Sequence, residues 1–571
     1  MKFRWSVAPT QPLLAGQLAR QLQIPPLLAQ CLLNRGLTEP VTIAGFLAPR
    51  LKHLADPFQL PDMSPAIARL LRAHEQKELV AIFGDYDVDG VTSVALLLEV
   101  FRALGWRVDF YLPHRMDEGY GLTRDAVENC LKKIPAQLVL AVDCGSTAID
   151  CIEWLGERKI DVIVLDHHQV QNPRPRALAL VNPQISGDFT ELCSVGLAFK
   201  LAHAVVKRGR ETGLPGAAEF DLRPLLDLVA LGTVADLVPL TGENRILVSS
   251  GLGRLATTPR PGLVALKQVA RCAGLLGVHE VGFQLAPRLN AAGRLETAEA
   301  ALHLLMAPDL TTATALAQDL DMRNRQRQTL ERTIADRVIS SIRAKFKPEE
   351  DFVIVEGDQD WHIGVVGIVA SRIVQQFYRP TIIVGGDSNG WRGSGRSIDG
   401  FDLAAGLREC SDLLLRHGGH AMAAGVSIDS GNIDAFRSRF NDVARRALKP
   451  EQLQANLRLD AEVRLEEITF HCLGKLDALK PQGQGNPVVQ LVARDLVHQR
   501  PLQRVGADKQ HVKMWVNDGR TTCEAVWWGA GNESLPVGRF DLAFTPQLNS
   551  YNGMHSVQLK VLDWKQAQTV N

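Results

Sequence analysis

The sequence lacks the features that would place it in several special classes of protein. No apolar run approaches the ~20 residues of a membrane span, and the nine cysteines include no CxxC pair, which argues against a zinc site or a disulfide framework. The formal net charge is zero, so nucleic-acid binding would have to depend on local basic surfaces. Pro9, Gln11 and Pro12 precede any apolar stretch long enough for a secretory signal. We therefore expect a cytoplasmic protein that does not contact membranes.

The length and the apolar pattern predict a multidomain α/β protein. With 571 residues, 46% of them hydrophobic and 22% charged, the chain is an ordinary globular sequence that is too long for one core. Between residues 56 and 185, strand-like runs alternate with helical runs, which is typical of a parallel sheet with helices on its faces. The predicted strands are 79–83, 108–112, 138–142 and 160–165, and the predicted helices are 93–104, 123–131 and 147–154.

The rest of the chain divides into further segments. Leu330, Ile334, Val338 and Ile342 recur at i+4 spacing, which predicts a long amphipathic helix. A second, smaller α/β unit follows it, and short alternating runs after residue 455 predict a β-barrel. The predicted segments are 1–55 (N-terminal, helical), 56–308 (α/β catalytic domain), 309–348 (connecting helix), 349–448 (second α/β domain) and 455–571 (C-terminal barrel).

Acidic side chains and histidines directly follow three of the predicted strands. Asp85, Asp87 and Asp89 follow the first, Asp143 follows the third, and Asp166-His167-His168 follows the fourth. The carboxyl ends of parallel strands meet at one edge of a sheet, so these side chains should converge. Asp236 lies in an apolar stretch, where a charge is costly unless it is paired or bound to metal. Carboxylates with one or two imidazoles suit Mn²⁺ or Mg²⁺.

Each of these motifs also has a plainer interpretation. The segment 85–90 could be a solvated acidic turn or a calcium loop, and its three aspartates would share one side if the strand continued through them. Asp143 could cap the next helix through the amides of Ser146 or Thr147. The histidines could lie on the surface, and Asp236 could belong to a buried salt bridge.

The four elements in this order resemble the DHH phosphoesterase superfamily, and Gly418-Gly419-His420 extends the resemblance to its DHHA1 domain. Within the superfamily, the chain is similar to bacterial single-strand-specific 5′ exonucleases over nearly its whole length. The residues that carry this similarity include Phe46-Leu47, Asp56-Pro57, the segment 286–294 and Gly485-Asn486-Pro487. The resemblance implies two divalent ions, Mn²⁺ or Mg²⁺, held by Asp85, Asp87, Asp89, Asp143, His167 and Asp236.

The same resemblance implies individual roles. Asp143 and Asp236 are candidates for bridging the two ions, and His168 would contact the scissile phosphate. Related pyrophosphatases have a histidine where this chain has Phe83, so the first ion's ligands are expected to differ. The segment 480–485 departs from the Pro-Phe-Gly that the family more often has, which concerns packing near residue 482 and leaves the chemistry untouched.

Arginines are expected to hold the phosphates, because the planar guanidinium binds phosphate oxygens bidentately. Arg288 and Arg294 are candidates near the metals, with Arg288 also a candidate catalytic residue. A solvated charge on a helix surface is the alternative for Arg288. Trp391–Ser397 combines arginines, hydroxyls and glycines, which predicts a phosphate-binding nest or, alternatively, an ordinary glycine-rich turn.

By the resemblance, a terminal 5′-phosphate is held by Ser394 and Arg396 together with an arginine similar to Arg115. Such a pocket would give the enzyme its direction. Arg392 belongs to the same predicted phosphate- and DNA-binding set. His420 would face the active site, with packing in a core as the alternative.

The C-terminal segment mixes aromatic and basic side chains, a combination suited to stacking bases and following a phosphate backbone. The residues are Trp515, Trp527, Trp528 and Tyr551 among Arg504, Lys509, Lys513 and Arg520. Paired tryptophans are more often part of a core. The resemblance implies an OB-like fold that binds single-stranded DNA.

We therefore predict a metal-dependent exonuclease that degrades single-stranded DNA from the 5′ end to nucleoside 5′-monophosphates in DNA repair and recombination. One alternative is a DHH/DHHA1 phosphodiesterase of short oligonucleotides or cyclic dinucleotides, and another is a non-catalytic, Cdc45-like DNA-binding scaffold. The resemblance also implies single-strand-binding protein and a RecQ-type helicase as partners, and we expect a monomer.

Overall fold

The computed structural model describes residues 3–114, 117–119, 121–272, 274, 276–295, 297–387, 390–551 and 554–567. The strands are β1 (Arg4–Val7), β2 (Leu79–Gly84), β3 (Arg107–Tyr111), β4 (Leu138–Val142), β5 (Asp161–Leu165), β6 (Ala179–Val181), β7 (Ile354–Asp358), β8 (Thr381–Asp387), β9 (Gly390–Arg396), β10 (Arg416–Gly419), β11 (Ala423–Ile428), β12 (Asn456–Leu459), β13 (Ala461–Glu462), β14 (Leu491–His498), β15 (Gln503–Val505), β16 (His511–Asn517), β17 (Thr522–Trp527), β18 (Phe540–Tyr551) and β19 (Met554–Gln566).

The helices are α1 (Pro12–Leu22), α2 (Pro26–Asn34), α3 (Pro40–Leu47), α4 (Met63–Glu75), α5 (Val88–Ala103), α6 (Arg124–Lys133), α7 (Ile149–Glu157), α8 (Ser194–Thr212), α9 (Leu226–Ala235), α10 (Gly242–Thr257), α11 (Pro261–Val269), α12 (Val278–Glu280), α13 (Ala286–Leu295), α14 (Glu299–Leu305), α15 (Leu310–Lys345), α16 (Val366–Phe377), α17 (Leu403–Arg408), α18 (Ile433–Ala447) and α19 (Phe470–Leu476). A π-helical stretch, Val281–Leu285, joins α12 to α13.

The predicted parallel sheet is confirmed, with strand order β3-β2-β4-β5-β6 and every pairing parallel. Its central strands are buried on both faces, as expected when helices cover a parallel sheet. Ile82 and Leu140 belong to one core cluster, with α5 and α8, while Phe83 and Ala141 belong to the other, with α6 and α7. Neighbouring residues thus face opposite sides, and the strand ends alone remain available for a site.

The second α/β segment has a mixed sheet of order β10-β11-β9-β8-β7. β7 and β8 are parallel, and the remaining neighbours are antiparallel. The predicted amphipathic helix is confirmed as α15, a single helix of 36 residues. Ile334, Val338 and Ile342 are buried as predicted, whereas Leu330 is 38% exposed.

The predicted C-terminal barrel is also confirmed. Its strands follow the order β13-β14-β18-β19-β17-β16-β15, and an additional pairing of β14 with β16 closes the sheet on itself. Along β16 the residues alternate between buried and half-buried. Val512, Met514 and Val516 therefore fill the barrel, while Lys513 and Trp515 lie on its outer face.

The prediction of helices alone for residues 1–55 is wrong at its start. Residues Arg4–Val7 form strand β1, which pairs in parallel with β12. The Trp5 indole N–H donates a hydrogen bond to the Asp563 carboxylate (2.9 Å). Four residues are too few to show a strand period, and the paired residues of β12 lie far along the chain, so no local pattern indicated this pairing.

The chain forms two compact units. Unit I comprises Ala48–Arg327 together with Leu479–Pro487, and unit II comprises the described residues up to Leu47, Gln328–Ala478 and the described residues from Val488 onward. The five-segment division made from the sequence stays a prediction. Among the described residues, no helix is both long enough and apolar enough to cross a bilayer.

Candidate metal centre

The first acidic motif forms a loop and a helix start in unit I. β2 ends at Gly84 and α5 begins at Val88, so the three aspartates do not continue the strand. Asp87 caps α5 by accepting hydrogen bonds from the amides of Asp89 (2.9 Å) and Gly90 (3.1 Å). Asp85 and Asp89 are buried, with 2% and 1% exposure. Burial of two carboxylates so close together excludes a solvated acidic turn.

Asp143 follows β4 and is 1% exposed. Its φ of 64° lies in the left-handed region, where aspartate is more readily accommodated than most residues. α7 begins only at Ile149 and has no side-chain cap, so Asp143 does not serve as a helix cap. Instead, it accepts a hydrogen bond from the Ser194 hydroxyl (2.9 Å).

Asp166 organises the residues around the two histidines. Its carboxylate accepts hydrogen bonds from the amides of Ser146 (3.0 Å), His167 (2.8 Å) and His168 (3.1 Å). One oxygen also lies 2.8 Å from His168 Nδ1. Burial alone would raise the pKa of Asp166, but these hydrogen bonds and the neighbouring imidazoles hold it well below its usual value. The carboxylate therefore stays ionised and fixes the orientation of His168.

The N-terminus of α8 supports the site, although no motif in the sequence predicted it. The backbone amides of Ser194 and Val195 both donate to the Asp89 carboxylate, at 2.7 and 2.9 Å. These amides have no partner within the helix, and the helix dipole favours a negative charge there. Together with its hydroxyl bond to Asp143, Ser194 connects two of the predicted ligands. Its signal in the sequence, a serine between apolar residues before a helix, is too common to be specific.

Asp236 lies at the C-terminal end of α9 and approaches the same point. Its Oδ2 is 3.6 Å from His167 Nε2, which is also 3.4 Å from Asp143 Oδ1 and 4.0 Å from Asp89 Oδ2. Possible ligand atoms form three groups, and within each group the atoms lie within 4.8 Å of one another. They are Asp85, Asp87 and Asp143; Asp143, His167 and His168; and Asp89, His167 and Asp236. The predicted ligands therefore converge, although they come from four separate stretches of sequence.

The electrostatics of this cluster call for a cation. Burial, with repulsion from neighbouring carboxylates, raises the pKa of Asp89 to about 7 and that of Asp236 to about 9. The same causes raise the pKa of Asp143 well above its usual value. Burial, with the neighbouring His168, lowers the pKa of His167 to about 4, so its imidazole is neutral and suited to bind metal.

The residues fit divalent metal ions. Among the described residues, neither His167 Nε2 nor Asp236 Oδ2 has a hydrogen-bond partner, although both atoms are buried. Uncompensated burial of such atoms is costly, and a bound cation would satisfy both. The donors are carboxylates and imidazole, the set preferred by Mn²⁺ and Mg²⁺, and no cysteine belongs to the ligand groups of the described residues.

The two arginines predicted near the metals lie on α13. Arg288 Nε forms a salt bridge with Asp321 of α15 (2.9 Å), and its Nη1 donates to the Gln284 carbonyl. A Cβ placed on Gly293 would lie 2.8 Å from the Tyr86 carbonyl oxygen, so the last turn of α13 contacts the Asp85–Asp87 loop. Arg294 is the residue that directly follows this contact. Arg288 is half-buried and paired, so it is not a solvated surface charge.

The structure contradicts the prediction of a phosphate-binding nest or a turn at Trp391–Ser397. Residues 390–396 are strand β9, which pairs with β8 on one side and β11 on the other. Its backbone amides are therefore committed to the sheet. A Cβ placed on Gly393 would lie 2.8 Å from the Ile383 carbonyl oxygen, so the glycine is there for close packing between strands. A glycine-rich composition is compatible with a turn and with a strand, so the local sequence does not distinguish the two.

The side chains of β9 nevertheless form a polar group. Arg392, Ser394 and Arg396 alternate along the strand and share one face. Arg396 Nη1 donates to the Ser394 hydroxyl (2.9 Å). A Cβ on Gly367, in the first turn of α16, would lie 3.0 Å from Ser394 Oγ and 3.3 Å from Arg396 Nη2. Ser394 and Arg396 thus lie beside a helix N-terminus, where backbone amides favour anions.

Two further predicted residues lie elsewhere. His420 is exposed in the turn between β10 and β11, which excludes packing in a core. Arg115 lies outside the described residues. On the barrel, Trp515 is half-buried beneath Arg500 and Lys513, whose charged ends lie 5.4 and 5.1 Å from the ring centre, and Trp528 is 52% exposed. These two tryptophans are not core residues.

Three family models match the chain: the DHH family N-terminal domain over residues 79–233, the DHHA1 domain over 350–446 and the RecJ OB domain over 459–563. With the fold and the metal centre, these matches define a phosphoesterase of the DHH class. The chain is 36% identical to the single-stranded-DNA-specific exonuclease RecJ of Bacillus subtilis, with 98% of this chain and 71% of that protein covered. For the Haemophilus influenzae RecJ the identity is also 36%, with 90% and 92% covered.

A solved structure agrees over almost the entire chain. The RecJ of Thermus thermophilus in complex with Mn²⁺ has a TM-score of 0.85 and 31% identity, and the match covers 99% of this chain and 80% of that one. The chain belongs to the RecJ family.

Proposed function

We propose that the protein is a metal-dependent exonuclease that hydrolyses single-stranded DNA from the 5′ end and releases nucleoside 5′-monophosphates, in DNA repair and recombination. The observation that carries the proposal is the convergence of Asp85, Asp87, Asp89, Asp143, His167 and Asp236 at the carboxyl edge of the parallel sheet. RecJ relatives named single-stranded-DNA-specific exonucleases share this chain's fold.

The ligand groups suggest places for two ions, Mn²⁺ or Mg²⁺. One ion would be held by Asp85 and Asp87, and the other by Asp89, His167 and Asp236. Asp143 belongs to the group of Asp85 and Asp87, and its Oδ1 also lies 3.4 Å from His167 Nε2. Asp143 is therefore our candidate for bridging, with Asp236 a second candidate from the family resemblance. When bound, two such ions supply an activated water and neutralise charge on the phosphate in an in-line displacement.

His168 is the proposed contact to the scissile phosphate. Burial lowers the pKa of its imidazole, but the hydrogen bond and charge of Asp166 outweigh this effect and raise the pKa above its usual value. Its side chain is 39% exposed, so a substrate has access to it. An imidazole held at Nδ1 by Asp166 would donate a hydrogen bond to a phosphate oxygen.

Arginines would hold the phosphates of the strand. Arg294 is the stronger candidate near the metals, because α13 contacts the Asp85–Asp87 loop at Gly293. Arg288 would act with its guanidinium oriented by Asp321. His420, exposed between β10 and β11, would contribute a further contact.

We propose that Ser394 and Arg396 hold a terminal 5′-phosphate, with Arg392 and Arg115 as further basic contacts. The support is their position beside the first turn of α16, which adds backbone amides to a hydroxyl and a guanidinium. Recognition of a 5′-phosphate would set the polarity of degradation. On the barrel, Trp515 and Trp528 are positioned for stacking with bases, since they are accessible and Trp515 lies beside two cations.

The polarity is tested with single strands blocked at either end. In the presence of Mn²⁺, we expect a blocked 5′ end to stop release of mononucleotides and a blocked 3′ end to leave it unchanged. Degradation that survives a 5′ block but stops with a 3′ block would contradict the 5′-phosphate pocket. A preference for oligonucleotides of two to five residues would favour the short-oligonucleotide phosphodiesterase, and no release at all would favour the scaffold.

We further propose a cytoplasmic, monomeric enzyme that works with single-strand-binding protein and a RecQ-type helicase. These points follow from the family resemblance and from the sequence. Sedimentation of the pure protein and co-purification with each partner test them.

A further inference from the structure

Residues Leu479–Pro487 form a short folded segment of unit I, although the chain before and after it belongs to unit II. Gly483 and Asn486 exchange backbone hydrogen bonds of 2.8 and 3.2 Å. The Asn486 side chain is fully buried, and its amide donates to the carbonyls of Leu479 (2.7 Å) and Pro481 (2.8 Å). Asn486 therefore fixes the shape of this segment from within.

The 479–487 segment packs on the loop that follows Asp236. The Leu240 amide donates to the Gln484 carbonyl (2.8 Å). A Cβ on Gly483 would lie 2.8 Å from Leu240 Cδ1 and so displace it. The segment thus contacts both the backbone and the side chain of Leu240, four residues after a predicted metal ligand.

Arg245, at the start of α10, anchors the same segment. The residue is 2% exposed, and its guanidinium donates to the carbonyls of Leu479 (2.9 Å), Lys480 (3.0 Å) and Pro481 (3.3 Å). A buried guanidinium is stable only with such hydrogen bonds. The loop between Asp236 and α10 is therefore also held where it meets α10, through the bonds of Arg245 to the 479–487 segment.

Asp236 depends on this support more than Asp89 and Asp143 do. Asp89 accepts two amide hydrogen bonds and Asp143 accepts one from a hydroxyl, but Asp236 Oδ2 has no hydrogen-bond partner among the described residues. The position of its carboxylate depends on the backbone on both sides, namely α9 and the loop. Leu237, directly after it, has a φ of 60° and is 74% exposed, so its own packing restrains the loop little.

We propose that Asn486 is a positioning residue for the metal centre: by shaping the 479–487 segment, it holds the Pro239–Leu240 loop and thereby the carboxylate of Asp236. This proposal rests on the proposed function, because it assumes that Asp236 binds metal. It assigns a task to Gly485-Asn486-Pro487, a motif that is remote from the acids in sequence and has no metal-binding group of its own.

The test is Mn²⁺ binding to the full-length Asn486→Ala variant, measured through the electron paramagnetic resonance signal of free Mn²⁺. Loss of a residue that orients a ligand typically weakens metal affinity by about 10–100-fold. We expect that loss for one Mn²⁺, with the affinity of the other unchanged because Asp87 and Asp143 keep the hydrogen bonds that position them. In steady-state kinetics, kcat should fall while KM for single-stranded DNA stays the same.

Asn441→Ala is the matched control. Asn441 lies in unit II and also bonds backbone groups through its side chain, accepting from the amide of Phe352 (2.7 Å) and donating to the carbonyl of Glu350 (3.1 Å). Its loss should lower Tm without changing Mn²⁺ affinity. The added methyl group of Gly483→Ala would displace Leu240, so this variant should weaken binding of the same Mn²⁺ ion as Asn486→Ala does. It decides the matter if Asn486→Ala does not fold.

Wild-type Mn²⁺ affinities in both Asn486→Ala and Gly483→Ala, at a temperature where the variants are folded, would overturn the positioning role. So would an equal loss in the Asn441→Ala control. Failure of the wild-type protein itself to bind Mn²⁺ would be a different result, since it contradicts the proposed function and removes the basis of this inference with it.

Discussion

The metal centre of unit I and strand β9 of unit II differ in what their residues reveal. At the metal centre, several acids and histidines follow apolar strands, where burying charge is costly, so the motifs taken together pointed to one kind of site. In β9, glycine, serine and arginine are compatible with a nest, a turn or a strand. The predicted residues there remain candidates for phosphate binding, but the predicted backbone was wrong. Energetic cost, more than composition, made a motif informative.

Asp143→Ala should have the largest effect, because Asp143 lies between two groups of ligands. If Asp143 is shared by two metal ions, as we propose, its loss removes several kcal/mol of transition-state stabilisation, so we expect mononucleotide release to fall by about 10³-fold or more. Asp150→Ala, an exposed aspartate on α7, is the control and should be fully active. Activity retained by Asp143→Ala would contradict the assignment of these buried acids to a metal centre.

Ser194→Ala tests whether the support of the acids matters as the geometry indicates. Its hydroxyl bonds Asp143, so its removal should weaken Mn²⁺ binding by about 10–100-fold. The backbone amides to Asp89 remain, and the fold should persist. A titration with Mn²⁺ measures the change, with the exposed Ser340→Ala as control. Unchanged affinity would show that Asp143 is held well enough without the hydroxyl.

Arg396→Ala addresses the β9 side of the comparison. If Arg396 holds the terminal phosphate, the loss of charge-assisted hydrogen bonds should reduce affinity for a 5′-phosphorylated strand by about tenfold or more. A strand with a 5′-hydroxyl should bind both proteins alike, and it serves as the internal control. Binding to short labelled strands without metal gives the readout. Equal losses for both strands would assign Arg396 a structural role.

The smallest effect is a pH dependence of the metal-free protein. The pKa values of Asp89 (about 7) and Asp236 (about 9) exceed those of aspartate in an unfolded chain, so the folded protein binds more protons and its stability falls as pH rises toward 9. The lowered pKa of His167 has the opposite effect, since it makes stability rise with pH, but only between about pH 4 and pH 6.5. Above pH 6.5, His167 no longer opposes this fall, and the raised pKa of His168 adds to it.

We therefore expect Tm without metal to fall between pH 6.5 and 8.5, by roughly 2 °C for each kcal/mol lost. Mn²⁺ competes with these protons, so the rise in Tm that it causes should be larger at pH 8.5 than at pH 6.5. Thermal scans with and without Mn²⁺ measure both. A metal-induced rise that shrinks with pH would contradict the assignment of these acids as ligands.

The sequence was a good guide wherever a local period or a costly residue was present. The strands before Asp85, Asp143 and Asp166 were predicted to within one residue at each end and α15 to within three, because an apolar period is a local property of the sequence. Strand β1 was missed, because its partner β12 is remote in the chain. Ser194 was missed too, since its importance comes from its distance to Asp89 and Asp143 and from nothing in its own neighbourhood.

The sequence by itself determined that acids and histidines follow buried parallel strands, and the cost of burying charge made metal binding the natural explanation. Only the tertiary structure decided which groups lie close enough to share an ion, that Asp166 orients His168, and that residues near 486 contact the loop after Asp236. The reason is physical: coordination and hydrogen bonding depend on distances of a few ångströms between residues that are distant in the chain, and those distances exist only once the core has packed.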